Sequence, residues 1–244
     1  MKNLFLKLGL LPALILAAAA FVSCGGNKPV LPDNSVIRAG NVISLTGSTS
    51  DIDSVRAMAY DWMTTTRTSI AEAPFQNNGF TMQLPTTLPD NFLRAVESSF
   101  PRIAEVTITG NSNARWLPNI DLAAFNKSGN EIGTVNLVGG IDFENITGTV
   151  ARWVYVDSNV SVTVPNTAIL LGQPTINFIA ANLSLRKGWN IVYATISIEN
   201  FGNIRHITTT LTTQRPPNVI FAWTFISLED EFPFNLLDAN GFFR

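Results

Sequence analysis

Catalysis draws on nucleophiles, bases and metal ligands, and this chain of 244 residues is short of the commonest of them. It holds one histidine, His206, and one cysteine, Cys24. A Ser-His-Asp triad would have to use His206, which lies in Ile204-Arg205-His206-Ile207-Thr208 with no Gly-x-Ser-x-Gly elbow in company. Zinc held by histidines needs at least two of them. Three acidic groups remain: Asp51-Ile52-Asp53, Asp142 with Glu144, and Glu229-Asp230-Glu231. Acids two residues apart share one side of an extended chain, and a facing pair could hydrolyse glycosides. Loop carboxylates with backbone carbonyls could hold calcium. None of the runs matches the twelve-residue D-x-D-x-D-G loop, and all lie at turn-like positions where Asp is common. They read as solvated turns, so neither a metal nor a cofactor is expected. Among the tryptophans, Trp223 sits in an apolar run and Trp153 beside Tyr155, and both read as core. Trp116 and Trp189 occupy loop-like positions and are the two ligand-binding candidates. An exposed indole can stack on a sugar ring while nearby Asn and Asp bond its hydroxyls. The competing reading is that each closes the end of a sandwich and buries a large apolar area.

Cys24 has a context of its own. Met1-Lys2-Asn3 is followed by a mostly apolar run from Leu4 to Val22 and then by Ser23-Cys24-Gly25-Gly26. A basic start, an apolar run and a small residue are the parts of a secretory signal peptide. Lys7 and Pro12 interrupt the run, which is short for a spanning helix of about 20 apolar residues. Phe21-Val22-Ser23-Cys24 resembles the cleavage site of bacterial lipoproteins, with Phe21 where Leu is usual. That resemblance implies removal of residues 1–23, acylation of Cys24 and attachment to the membrane through a lipid anchor. One acyl chain holds only marginally at about 0.8 kcal/mol per buried methylene; the two or three chains such proteins carry hold far longer. Residues 24–35, rich in Gly and Pro, read as a flexible tether. No Asp follows Cys24 and no acidic run follows the anchor. By analogy the destination is the cell envelope, at the outer membrane, with either face open.

The elements that must position any site are strands. Charged residues make up 14% of the chain, against the usual quarter, and the net charge is −2. There is no basic stripe, so no nucleic-acid partner is expected. Thr favours strands and Asn and Gly favour turns. Strands are expected at 36–46, 54–62, 80–84, 105–109, 120–125, 131–138, 150–156, 160–164, 175–185, 190–198, 207–213 and 219–227. The segment Phe80-Thr81-Met82-Gln83-Leu84 alternates cleanly. Asn126 to Asn130 reads as the turn of one hairpin, and Arg186-Lys187-Gly188-Trp189 as the turn of a second. Val219 to Ser227 is apolar on both faces and reads as a central strand. Asp90 to Val96 has helical spacing behind an N-cap Asp, the one short helix expected.

Strands at intervals of roughly ten residues, with turn residues between, predict an all-β fold, an antiparallel β-sandwich. It is either one large sandwich or two tandem small ones, 36–112 and 113–244, divided near Asn111-Ser112-Asn113. Patches of the chain resemble a module of uncharacterised bacterial lipoproteins of Bacteroidetes or spirochaete type. They are Ile43-Ser44-Leu45-Thr46-Gly47, Gly79-Phe80-Thr81-Met82-Gln83-Leu84-Pro85 and Lys187-Gly188-Trp189-Asn190. The resemblance implies an immunoglobulin-like or transthyretin-like β-fold and carries no activity. The function expected is non-enzymatic: a β-sandwich held on a lipid tether for binding, adhesion or envelope assembly, with a glycan or protein as partner. The alternatives are carbohydrate binding through exposed Trp and, behind it, a carboxylate-based glycan hydrolase.

Overall fold

The computed structural model describes residues 33–100, 105–142, 146–170 and 175–229, with the side chain of Leu170 excepted. Cys24, Glu144, Asp230 and Glu231 lie outside the described residues. The strands are β1 (Val36–Ala39), β2 (Ile43–Ser44), β3 (Ser54–Asp61), β4 (Thr66–Pro74), β5 (Phe80–Gln83), β6 (Arg94–Ala95), β7 (Thr107–Gly110) and β8 (Arg115–Leu117). They continue as β9 (Asp121–Phe125), β10 (Glu131–Asp142), β11 (Thr147–Val156), β12 (Val160–Leu170), β13 (Thr175–Leu185), β14 (Gly188–Phe201), β15 (Ile204–Thr212) and β16 (Phe221–Ser227). The helical content of the described residues is three single 3₁₀ turns, at Thr49–Asp51, Asp90–Phe92 and Glu97–Ser99. The chain is all-β, an antiparallel-rich sandwich that does not close into a barrel.

Hydrogen bonding runs in the order β4-β3-β9-β10-β11-β14-β15-β13-β12-β7. β1 pairs with β5 in a separate two-stranded sheet. β16 pairs with β10 and, over two residues, with β2. Every pairing is antiparallel except β13 with β15 and β16 with β2.

The strand pair β11–β14 organises the interior. Alternate residues of a strand point to opposite faces. Trp153, Tyr155 and Trp189 face one core, with Val55, Ala57, Ile37, Met82 and Leu122 from the first half of the chain. Val154, Val156, Val192 and Ala194 face a second core, with Val160, Val162, Leu183 and Leu185. The pair is therefore buried on both faces, and every residue of β11 after Thr147 is buried. Each fully buried Val or Leu contributes about 1.5–3 kcal/mol.

Two short links carry the chain from this shared layer to the layer beyond the second core. Val156 pairs with Gly188 in the shared layer, and Val160 pairs with Leu185 in the next. The stretches 157–159 and 186–187 cross side by side. Lys187 N–H donates to Asn159 Oδ1 at 2.8 Å. Asn190 Oδ1 accepts from Arg186 N–H at 3.0 Å, and its amide donates to the carbonyls of Arg186 and Gly188 at 2.7 and 3.0 Å. Gly188, at φ +97°, takes a conformation closed to most other residues.

The crossing corrects the second expected hairpin. β13 and β14 are consecutive but unpaired, because β15 lies between them, parallel to β13 and antiparallel to β14. Strand content and turn residues alone do not tell a hairpin from a link between layers. The expected helix at 90–96 is also corrected: a 3₁₀ turn gives way at once to β6, whose Arg94 pairs with Trp116. The strand expected at 36–46 is two short strands divided near Asn41, at φ +53°. β16 is central only where β2 reaches it, opposite Thr224 and Phe225. The hairpin at Asn126 to Asn130 forms between β9 and β10. β4, β6 and β8 fall where no strand is expected. The described residues from Asn34 to Glu229 belong to one compact unit. Ladders β3–β9 and β6–β8 cross the 112/113 division between expected modules.

Candidate functional site

The structure buries both tryptophans expected to meet a ligand. Trp116 is 2% exposed and Trp189 8%. Trp116 extends β8 alongside β11, lies 5.8 Å from the Phe100 ring, and its Nε1–H donates to Ser99 Oγ at 2.7 Å. Trp189 opens β14, meets Tyr155 edge to face at 5.4 Å, and its Nε1–H donates to the Pro85 carbonyl at 2.7 Å. Each ring is packed and each donor is spent within the chain, so neither indole offers a face to a sugar. This corrects the binding role expected of Trp116 and Trp189. Their Gly- and Pro-bearing surroundings imitate loops, yet both side chains fill gaps where strands cross.

The described members of the acidic groups do not converge. Asp51 and Asp53 are exposed beside a 3₁₀ turn, where Asp51 accepts from Ser50 Oγ at 3.2 Å. Asp142 closes β10 and Glu229 follows β16, on separate elements. Among the described residues, no three His, Cys, Asp or Glu side chains gather to hold a metal ion.

Four charged groups meet where the large sheet forks. Thr134 pairs with both β9 and β16, and Leu137 with both β11 and β16. A strand has two edges, so β9 and β11 share one edge of β10 and separate at Val135 and Asn136. A small hollow lies there, lined by Ile120, Leu122, Asn136, Arg152 and Trp153 among others. Beside it Arg67 contacts Glu131 at 3.1 Å and Asp121 at 3.5 Å, and Arg152 contacts Asp121 at 3.8 Å. Two cations face two anions, so the cluster pins β4, β9, β10 and β11 together with its charges balanced.

The perturbed titrations also trace to structural contacts. The Thr64 backbone amide, with Asn91 and the Met63 amide, holds the Asp61 carboxyl below its ordinary range as it caps the β3–β4 turn. Arg56, then Ser54, lowers Glu72. Burial, then the Asp157 carboxylate, raises the Tyr155 phenol. Asp90 raises Arg115, which bridges it to Asp157.

His206 sits in an aromatic cluster. Its ring lies 4.6 Å from Phe201 and 5.4 Å from Phe178, and Glu199 is its register partner on β14. Phe201 is 55% exposed beside the β14–β15 turn, where Gly202 has φ +62°. The sequence shows the turn in Phe201-Gly202-Asn203, but no periodicity marks Phe201 as exposed. Asn34, the first residue of the compact unit, donates from Nδ2 to the Trp189 carbonyl at 3.4 Å. Trp189 and Phe201 are near opposite ends of β14, about 40 Å apart at the strand rise.

No protein-family model matches the chain, and no curated protein or solved structure is significantly similar to it.

Proposed function

We infer that this is a non-enzymatic lipoprotein of the bacterial cell envelope, anchored through acylated Cys24, that presents its β-sandwich for binding, adhesion or envelope assembly. The observation that carries the reading is the aromatic cluster of exposed Phe201 with half-buried His206 and Phe178, at the end of β14 remote from Asn34. A tether joined at Asn34 leaves that cluster about 40 Å from the attachment point. Exposed aromatics are costly in water and serve binding surfaces well. Among the described residues the acidic groups lie on separate elements, which supports the non-enzymatic part of the reading. Kinship with immunoglobulin-like or transthyretin-like lipoprotein modules and an outer-membrane address belong to the same proposal.

The test uses the whole chain in cells, with a photo-crosslinking amino acid at position 201 and, as a control, at the exposed Met63. The expected result is a discrete adduct from position 201 that Phe178→Ala weakens at least severalfold, with none from position 63. Adducts indistinguishable between the two positions would remove the binding surface. Cys24→Ala should release the protein from the membrane fraction, and unchanged membrane retention would remove the anchor.

A further inference from the structure

The β2–β16 edge exposes large apolar side chains on either side of a buried middle. Residues two apart on a strand share a face, so Ile220, Ala222, Thr224, Ile226 and Leu228 follow one line along β16 and its flanks. Ile43 on β2 pairs opposite Thr224 and belongs to the same face. Along this line Thr224 and Ile226 are buried. Ile220 is 87% exposed, and Ile43 and Leu228 are exposed as well. Three of the five large apolar side chains exposed among the described residues thus lie on or directly beside one strand pair. A small, mostly apolar hollow opens beside them, lined by Leu45, Val138, Ile141, Thr149, Val150 and Ile226 among others. Single exposed apolar residues need no explanation, but a grouped set does.

The chain itself carries a fitting occupant. Directly after Glu229 come fifteen residues, Asp230 to Arg244, with Phe232, Phe234, Leu236, Leu237, Phe242 and Phe243 among them. They start next to Leu228, at one end of the apolar line. Ile220, at the other end, is about 26 Å back along the strand. Fifteen residues reach up to about 50 Å when extended, so the segment can cover the line within one molecule. A link through the same chain needs no second molecule and so benefits from a high effective concentration.

We propose that residues 232–243 dock in the same molecule on the apolar face of β16 and β2, covering Ile220, Ile43 and the hollow beside Ile226. This contact is separate from the surface around Phe201. The test places a single thiol at the exposed end through Ile220→Cys in the whole chain carrying Cys24→Ser, and measures its rate of maleimide labelling. A second form stops after Glu229. A third keeps the full length with Phe232→Ser, Phe234→Ser and Leu236→Ser. Labelling is expected to be at least about tenfold slower in the first form than in the other two, at every protein concentration. Far-UV circular dichroism checks that each form is folded, and a thiol placed by Met63→Cys, exposed in the fold, should label alike in all three. Equal rates at position 220 overturn the proposal. Slow labelling that speeds up on dilution also overturns it, because the cover then comes from a second copy.

Discussion

Replacing Trp189 separates a structural tryptophan from a ligand-binding one. The indole packs against Tyr155 in the first core, and its Nε1–H is bonded to the Pro85 carbonyl. Trp189→Ala removes the ring and leaves a cavity between the shared layer and the segment around Pro85. Large-to-small changes of this kind cost about 3–5 kcal/mol. That is a large share of the roughly 5–15 kcal/mol that holds a domain together. At about 2–4 °C per kcal/mol for a chain of this size, the midpoint of thermal unfolding should fall by roughly 6–20 °C. Trp189→Phe keeps most of the apolar volume but loses the donor, leaving the Pro85 carbonyl without it. It should cost about 1–2 kcal/mol. Urea unfolding followed by far-UV circular dichroism, which does not depend on the deleted fluorophore, measures both. A surface ring serving a ligand would cost little when truncated. A Trp189→Ala protein within about 0.5 kcal/mol of the parent would refute the packing argument and reopen Trp189 as a binding residue.

Gly133 and Gly40 make a matched pair. A methyl on Gly133 would meet the Ile226 carbonyl at 2.3 Å and the Phe225 ring at 2.5 Å, whereas one on Gly40 meets nothing within 4 Å. Gly133→Ala should therefore cost about 3 kcal/mol or more in urea unfolding, and Gly40→Ala should lie within about 0.5 kcal/mol of the parent. Similar costs for the two would show that β16 does not press on β10 as described. Asp61 and Glu72 both have carboxyl pKa values depressed in the fold. Their contribution is therefore present above the unfolded value of about 4 and is lost as pH falls through the lower folded values. Stability should decline below about pH 4. Asp61→Asn should flatten that decline, and an unchanged slope in acid unfolding would remove Asp61 from the account.

What could be read from the sequence was what depends on local periodicity. Phe80-Thr81-Met82-Gln83 alternates, and β5 buries Phe80 and Met82 on one face. Asn126 to Gly129 carries its own turn bonds, including Ser128 N–H to Asn126 Oδ1 at 3.0 Å, so that hairpin was legible. The connection at Arg186-Lys187 was not, because its partner is remote. Asn159 reaches Lys187 across 28 positions, and the choice between hairpin and crossing is made by what fills the space beside β14. β15 wins that place with nine register pairs to β14. β4 was hidden for another reason. Most of its residues are exposed or half-buried, so Thr66 to Pro74 shows no apolar stripe. The tryptophans misled because residue type and nearby Gly or Pro report local conformation. Burial of Trp116 depends on Ser99 and Phe100, whose own segment shows no strand or helix period.

The same two-sided layer explains why so few side chains are left for chemistry and where assembly would have to occur. A strand pair covered on both faces uses successive apolar residues, Trp153 to Val156 and Ile191 with Val192, where a one-sided sheet would use every second one. The outer edges of the long sheet are poor places to add another chain. β4, at one end, has no register partner for Ile70 between Ala57 and Met58 of β3, a bulge that twists the edge, and it carries Arg67, Glu72 and Pro74. Bulges, charges and proline are the features that discourage pairing between edges. β7, at the other end, is four residues long and ends at Gly110 with φ +93°. Neither edge offers the long, flat, apolar ladder that strand addition favours. A partner is thus better served by side chains than by main-chain pairing, which leads back to the exposed Phe201 at the far end of β14. Phe201→Ala should weaken partner binding with little loss of stability, the reverse of the pattern expected at Trp189.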